Sequence, residues 1–229
     1  MLSVADLIDA TTLSAPLAAA LAARVASGAS FMIGAKPGGA GKTTVMCALL
    51  NFIPVNIDIL PATQESVRQA AAATTRQCHC YVCHEIGSGH YYAYLWGDAL
   101  RQYCGLGDCG HVLAANLHAD TLEEAKAQVC GVNNIPDQHF RNFALLAFLR
   151  VSKPSRVVHQ VYVSNAGEPH ELAYDASSGL FKPDLFASSE KREACRVFLE
   201  TFMAQPDRTI HAMRQSVLES PLLAGLWEE

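Results

Sequence analysis

The chain has 229 residues, half of them apolar, and a formal net charge of −5 with both signs interspersed. That size fits one α/β domain with room for a small helical appendage, and the apolar share excludes wholesale disorder. The mildly acidic balance gives no general basic footprint, so a nucleic-acid partner is not expected.

Residues 16–26 form an Ala-rich stretch that Arg24 interrupts and that no basic region precedes. It is too short to span a bilayer and reads as a core-facing helix rather than an export signal. Without such a signal, the eight cysteines read as reduced thiols of a cytoplasmic protein. Cys47 and Cys195 fall in apolar helical patterns and read as small buried hydrophobes. Residues 30–33 predict a buried strand. After Gly38-Gly39-Ala40-Gly41, the apolar segment 42–52 predicts a helix that Pro54 ends. Val55, Ile57 and Ile59 alternate with Asn56 and Asp58, which predicts a second strand.

An Ala-rich helix is expected over 63–74 and a strand over 78–86, followed by a turn at Gly87-Ser88-Gly89. Residues 90–103 place Tyr92, Leu95, Trp96, Ala99 and Tyr103 on one apolar face, a helical pattern. Residues 111–117 predict another buried strand, and overlapping capping boxes at 120–124 open a helix to about Val129. Residues 143–151 read as a strand, although their apolar run fits a helix as well. Alternation over 157–163, the turn Asn165-Ala166-Gly167 and the run 168–174 predict a hairpin. Two helices, 189–204 and 209–218, close the chain. The fold class is therefore α/β: a mostly parallel sheet with helices on both faces, an antiparallel hairpin and a small C-terminal helical region. The expected division is a nucleotide-binding domain at 1–186 and a helical appendage at 187–229.

Lys36-Pro37-Gly38-Gly39-Ala40-Gly41-Lys42-Thr43-Thr44 lies between a predicted strand and a predicted helix, the setting that separates a P-loop from a mere glycine-rich turn. Residues Pro37, Gly38, Gly39, Ala40 and Gly41 would curl backbone N–H groups toward phosphate oxygens at the positive end of the helix. Lys42 would reach the β- and γ-phosphates, the Thr43 hydroxyl would ligate Mg²⁺, and Thr44 would bond an α-phosphate oxygen. ATP with Mg²⁺ is the implied ligand. Lys36 stands where the pattern usually has its first glycine.

Beyond this loop, the order of motifs resembles the secretion-superfamily ATPases, the motors of type II and type IV secretion and of type IV pili. The likeness rests on Gly41-Lys42-Thr43-Thr44 with the helix exit at Pro54, on His84-Glu85-Ile86-Gly87-Ser88-Gly89 as a Walker B-like segment, and on Gly110-His111 with Leu117-His118-Ala119-Asp120 as a histidine box. The segment 156–174 is similar to the hairpin after their core. The resemblance implies a RecA-like P-loop fold, Glu85 as the carboxylate that orients the attacking water, and His118 as a γ-phosphate sensor. It also implies partners in a secretion or pilus machine, a place peripheral to a membrane, and self-association. The chain departs from the pattern in four places. Leu60-Pro61 falls where two acids are expected, Gly87 replaces an arginine and His90 a second glutamate, and only Arg68 and Arg76 remain from the arginine-bearing stretch. Missing acids and arginines remove charge stabilisation, so fast hydrolysis is not expected.

Three other readings stay open. One is a degenerate nucleotide-binding scaffold or switch with little turnover, and another is a small P-loop kinase. The third is a zinc-binding interaction module on Cys78, Cys80 and Cys83, with Cys104 and Cys109 as further ligands. A regular strand would put Cys78 and Cys80 on one face and Cys83 on the other, which favours a buried strand rich in small sulfur side chains.

Overall fold

The computed structural model describes residues 1–73, 77–152 and 155–226. Ser3 and Ser14 cap the first two helices, α1 (Val4–Asp9) and α2 (Ala15–Ala26), each hydroxyl accepting a first-turn N–H. The fully buried β1 (Phe31–Gly34) follows, and the glycine loop leads into α3 (Lys42–Leu50). Next come β2 (Asp58–Pro61), α4 (Gln64–Ala72), β3 (His79–Ile86) and the two-residue β4 (Tyr94–Leu95). Then α5 (Asp98–Gly105), β5 (Val112–Leu117) and α6 (Leu122–Lys126) follow, the last continuing as a π-helical turn over Ala127–Val132. After α7 (Asp137–Arg141) the chain forms β6 (Leu145–Ser152), β7 (Ser155–Val163), β8 (Glu171–Asp175) and β9 (Leu180–Phe181). It ends in α8 (Ser189–Met203), α9 (Ile210–Glu219) and α10 (Pro221–Ala224).

Among the described residues the strands form one sheet in the order β2-β3-β5-β1-β6-β7-β8-β9, with β4 pairing the end of β3. Pairings from β2 through β6 are parallel, and those from β6 through β9 are antiparallel. The sheet separates two apolar clusters. One holds α1, α2, α3 and the C-terminal helices, with Leu17, Leu21, Leu49, Phe198 and Phe202 at its centre. The other gathers Val67, Leu100, Tyr103, Val129 and Phe140 beneath α4 to α7. Helices on both faces explain why β1 and β5 read as continuous apolar runs. α8 packs on α2, and the Phe52 and Phe198 rings meet edge to face at 6.0 Å.

The mostly parallel α/β architecture with an antiparallel segment is as expected, but several elements differ. Residues 90–103 are not one helix. Ala93 takes φ +54, Tyr94 and Leu95 pair with Glu85 and Ile86, and helix begins only after Gly97 at φ +59. Apolar spacing alone proposed the helix, and these two left-handed positions forbid it. The second strand starts at Asp58 rather than Val55, because Ile57 donates its N–H back to Pro54 in a turn and Val55 faces solvent. The antiparallel part is four strands rather than a single hairpin. The end of the helix expected over 63–74, and Arg76, lie outside the described residues.

The cysteine-rich strand is two-faced. Cys80 packs into the α1–α3 cluster, and Cys83 into the α4–α7 cluster. No three His, Cys, Asp or Glu side chains converge into a metal site among the described residues. Burial pushes the Cys80 thiol up to about 12 and the Cys83 and Cys104 thiols higher still. Cys195 is buried as read, whereas Cys47 is only half-buried. A thiol held neutral by burial is a poor nucleophile and a poor metal ligand. With a thiol reagent on the native protein, the exposed Cys109 should react first. Cys80, Cys83, Cys104 and Cys195 should react only on unfolding; prompt labelling of Cys83 would contradict this packing.

Candidate functional site

β1 ends at Gly34, where a Cβ would lie 2.6 Å from both the Ala119 carbonyl oxygen and the Phe148 ring. Only glycine lets the strand end so close to the segments after β5 and on β6. The chain then reverses over Gly39 and Gly41, at φ +73 and +97, and the Ala40 N–H closes the turn on the Pro37 carbonyl at 3.3 Å. Gly41 is the N-cap of α3 and offers no side chain to its first turn. Six other helices have theirs capped, by Ser3, Ser14, Thr63, Thr121, Ser188 and Thr209. The uncapped N–H groups and the helix dipole face a cleft of about 320 Å³ lined by residues 39–44 and Arg156. A larger cleft of about 640 Å³ lies at the β2 edge among Tyr91, Tyr92 and Ile59, but among the described residues no lysine or arginine lines it to meet phosphate.

Lys42 is 8% exposed. Its Nζ lies 3.2 Å from the Ala35 carbonyl, 3.3 Å from Glu85 Oε2 and 3.4 Å from His118 Nδ1. Glu85 is 6% exposed, at the C-terminal end of β3; its Oε2 also lies 3.8 Å from His118 Nε2, and its Oε1 is buried without a hydrogen-bond partner among the described residues. A buried carboxylate oxygen without a partner costs free energy, which a hydrogen bond from water or from an incoming polar group offsets. Thr43 is exposed at the cleft floor, and its hydroxyl accepts from Asn116 Nδ2 at 3.4 Å. The same amide donates to the His84 carbonyl at 2.9 Å, while Asn116 Oδ1 is buried without a hydrogen-bond partner among the described residues.

Lys36 ties the loop to the segment after β5. Its N–H donates to Asp120 Oδ1 at 2.8 Å, its carbonyl lies 3.2 Å from His118 Nδ1, and its Nζ pairs with Glu124 Oε1 at 2.5 Å. The ion pair raises Lys36 above the usual lysine value and lowers Glu124 below the usual carboxylate value. Both side chains face water, so the charge attraction itself contributes little; the backbone contacts fix the geometry.

The structure thus brings Lys42, Glu85 and His118 together at one end of the loop. Gly39 to Thr44 line the cleft, whereas Gly38 is not among its lining and Pro37 lines a separate cleft with Asp120 and Arg150. Arg68 pairs with Glu65 on the exposed side of α4 and does not line the cleft, so it is no substitute for the missing arginines. Two residues escaped the sequence reading, Arg156 in the cleft wall and Asn116 buried behind Thr43. Arg156 opens β7, and its position follows from topology. β6 runs parallel to β1 and so ends on the loop side of the sheet, and β7 starts its return there. Asn116 left a signal, a lone amide in the otherwise apolar run Val112–Leu117.

No protein-family model and no curated protein matches the chain. Among solved structures it is similar to the VirB11 ATPase from the Brucella suis type IV secretion system, in complex with sulphate. That match has a TM-score of 0.44 and 14% identity, over 62% of this chain and 50% of that one. It is also similar to the Legionella pneumophila ATPase DotB, with a TM-score of 0.45 and 10% identity, over 94% of this chain and 63% of that one. The chain therefore spans less than two-thirds of the length of either. At these scores neither likeness bears on activity, and the functional reading rests on the cleft.

Replacing Lys42 by alanine leaves the buried Glu85 carboxylate without its cation. The Lys42→Ala variant should lose about 3 kcal/mol of unfolding free energy, and adding Glu85→Gln should restore most of it. Urea unfolding of the three proteins tests this. A Lys42→Ala midpoint equal to wild type would mean that the pair does not hold Glu85 in place.

Proposed function

We propose that the chain binds Mg-ATP in this cleft and hydrolyses it, as a RecA-like P-loop ATPase resembling the secretion and pilus motors. One observation carries the reading. A buried lysine at the start of an uncapped helix is held between a carbonyl and a carboxylate whose second oxygen, Oε1, lacks a hydrogen-bond partner among the described residues. Such a cation is released when a stronger anion arrives, and the loop amides offer that anion its other contacts.

On this reading, backbone N–H groups of residues 38–44 cradle the β-phosphate while Lys42 turns from Glu85 to the β- and γ-oxygens. Arg156, across the cleft, adds a second positive charge. Thr43 Oγ1 would hold Mg²⁺, with Asn116 Oδ1 and Glu85 Oε1 as nearby hard oxygens for its water shell. That donor set suits an ion taking one or two protein oxygens and filling its sphere with phosphate and water. When bound, the ion neutralises phosphate charge. Freed from Lys42, Glu85 can accept a hydrogen bond from water and orient it, with the surrounding burial keeping other water out. His118, between Glu85 and the Lys36 carbonyl, would pass the state of the site to the 118–124 segment.

The motif order extends the proposal to self-association and to work beside a secretion or pilus machine on the cytoplasmic side. Residues 1–186 would be the catalytic unit, and 187–229 an appendage braced on α2. A second reading, binding with little turnover, is favoured by one feature: residues 87 and 90 bring no further arginine or carboxylate. Titration calorimetry should give a saturable heat with Mg-ATP for wild type and none for Lys42→Ala; equal heats would reject the site. Phosphate release should be lost in Glu85→Gln while binding survives. An unchanged rate would remove Glu85 from the chemistry, and no release by wild type would leave the binding-only reading.

A further inference from the structure

The cleft of about 640 Å³ at the β2 edge plays no part in the phosphate chemistry. Leu50, Leu60 and Val82 give it aliphatic lining, and Tyr91, Tyr92 and Tyr94 give it aromatic lining. Among the described residues it has no charged side chain. Its side-chain hydrogen-bonding groups are the three tyrosine hydroxyls and the His84 ring. Leu60 and Pro61 stand where the motif order calls for two acids, so that departure is what leaves the space apolar.

The aromatic side is held in place. The His84 N–H donates to the Ala93 carbonyl at 2.8 Å and the Gly87 N–H to the Leu95 carbonyl at 3.1 Å, which fixes the returning chain on β3. The Tyr91 and Tyr94 rings meet at 5.1 Å between centroids, and Tyr94 meets the His84 ring at 5.7 Å. Ala93 takes φ +54, a left-handed conformation that strains any residue with a Cβ and is kept where a site needs its geometry. Yet Tyr91 and Tyr92 are 73% and 70% exposed. Aromatic rings left in water beside an apolar cleft mark a surface that something covers.

What covers it follows from the rest of the lining. The edge does not take another strand: Pro61 has no N–H, and its carbonyl already accepts from the Thr63 N–H at 3.0 Å and from Ser66 Oγ at 2.7 Å. The two exposed rings present on the order of 300 Å², whereas each side of a stable protein complex buries roughly 800 Å². A charged ligand finds no counter-ion among the described residues. The volume suits a drug-sized molecule, for which pockets run to about 300–1,000 Å³.

We propose that this cleft binds an uncharged, flat aromatic small molecule, stacked on the rings of Tyr91, Tyr92 and Tyr94 and hydrogen-bonded through their hydroxyls. The site borders the strand end that carries Glu85, since Tyr94 pairs with Glu85 in the sheet. It is separate from the phosphate cleft, and its test needs no nucleotide.

The probes are N-phenylnaphthylamine, which is neutral, and anilinonaphthalene sulfonate, which has the same rings and a negative charge. Both brighten on leaving water. Titrated into the native full chain, the neutral dye should bind saturably at one site, about tenfold or more tighter than the sulfonate. Ile59→Arg places a cation at the exposed edge of the cleft; it should weaken the neutral dye by about tenfold and strengthen the sulfonate. Circular dichroism and thermal unfolding establish that the variant folds like wild type. If it does not fold, Tyr92→Ser replaces it and should weaken the neutral dye to a similar degree. Absence of saturable neutral-dye binding by folded wild type overturns the site, as does unchanged affinity in the folded variant. A sulfonate held as tightly as the neutral dye by wild type overturns the uncharged class.

Discussion

The site depends on one buried contact, the ion pair between Lys42 and Glu85. Two opposite charges, each less than a tenth exposed, meet at 3.3 Å where α3 begins and β3 ends. Burying them costs solvation that their attraction only partly returns, since Glu85 Oε1 has no hydrogen-bond partner among the described residues. Such a pair contributes less as a stabiliser than as a poised arrangement: each charge is desolvated and pre-aimed, and an incoming anion can take Lys42 while leaving the carboxylate to water. The parallel strand order makes the meeting unavoidable. β3, β5 and β1 are neighbours, so the ends of all three deliver Glu85, His118 and the loop to one edge of the sheet.

Around that pair, rigidity and freedom are divided. Gly34 lets the strand end press against the Ala119 carbonyl, Ala40 is buried under the loop, and Lys36 clamps the loop to Asp120 and Glu124. The tip, residues 36–39, and the Thr43 side chain stay open to solvent. Lys36, which breaks the usual glycine pattern, makes that clamp. A glycine there would keep the backbone bond to Asp120 but lose the reach to Glu124. The departure from the motif therefore has a mechanical consequence. Any shift of the loop is felt directly by the segment bearing His118.

Much of this was legible in the sequence because it is local. The strand-loop-helix setting of residues 30–52, the strand ending at Glu85 and the strand before His118 all follow from short apolar runs and glycine positions. The two faces of the 78–86 strand follow from period-two geometry. What was not legible is what tertiary contact decides. The segment 90–103 has a helical apolar spacing, yet Ala93 and Gly97 adopt left-handed backbone and two residues join β3 instead. Arg156 enters the cleft only because β6 lies beside β1, a pairing across more than a hundred residues that no local pattern announces. Asn116 is intermediate: an amide in an apolar strand is visible, but its contact with Thr43 is not.

The most direct test of this account is a crystal structure with Mg²⁺ and a non-hydrolysable ATP analogue. The account predicts that Lys42 Nζ leaves Glu85 for the β- and γ-phosphate oxygens, that Thr43 Oγ1 lies about 2.1 Å from the ion, and that an ordered water lies on Glu85. Lys42 still paired with Glu85, with the analogue bound at another surface, would contradict it.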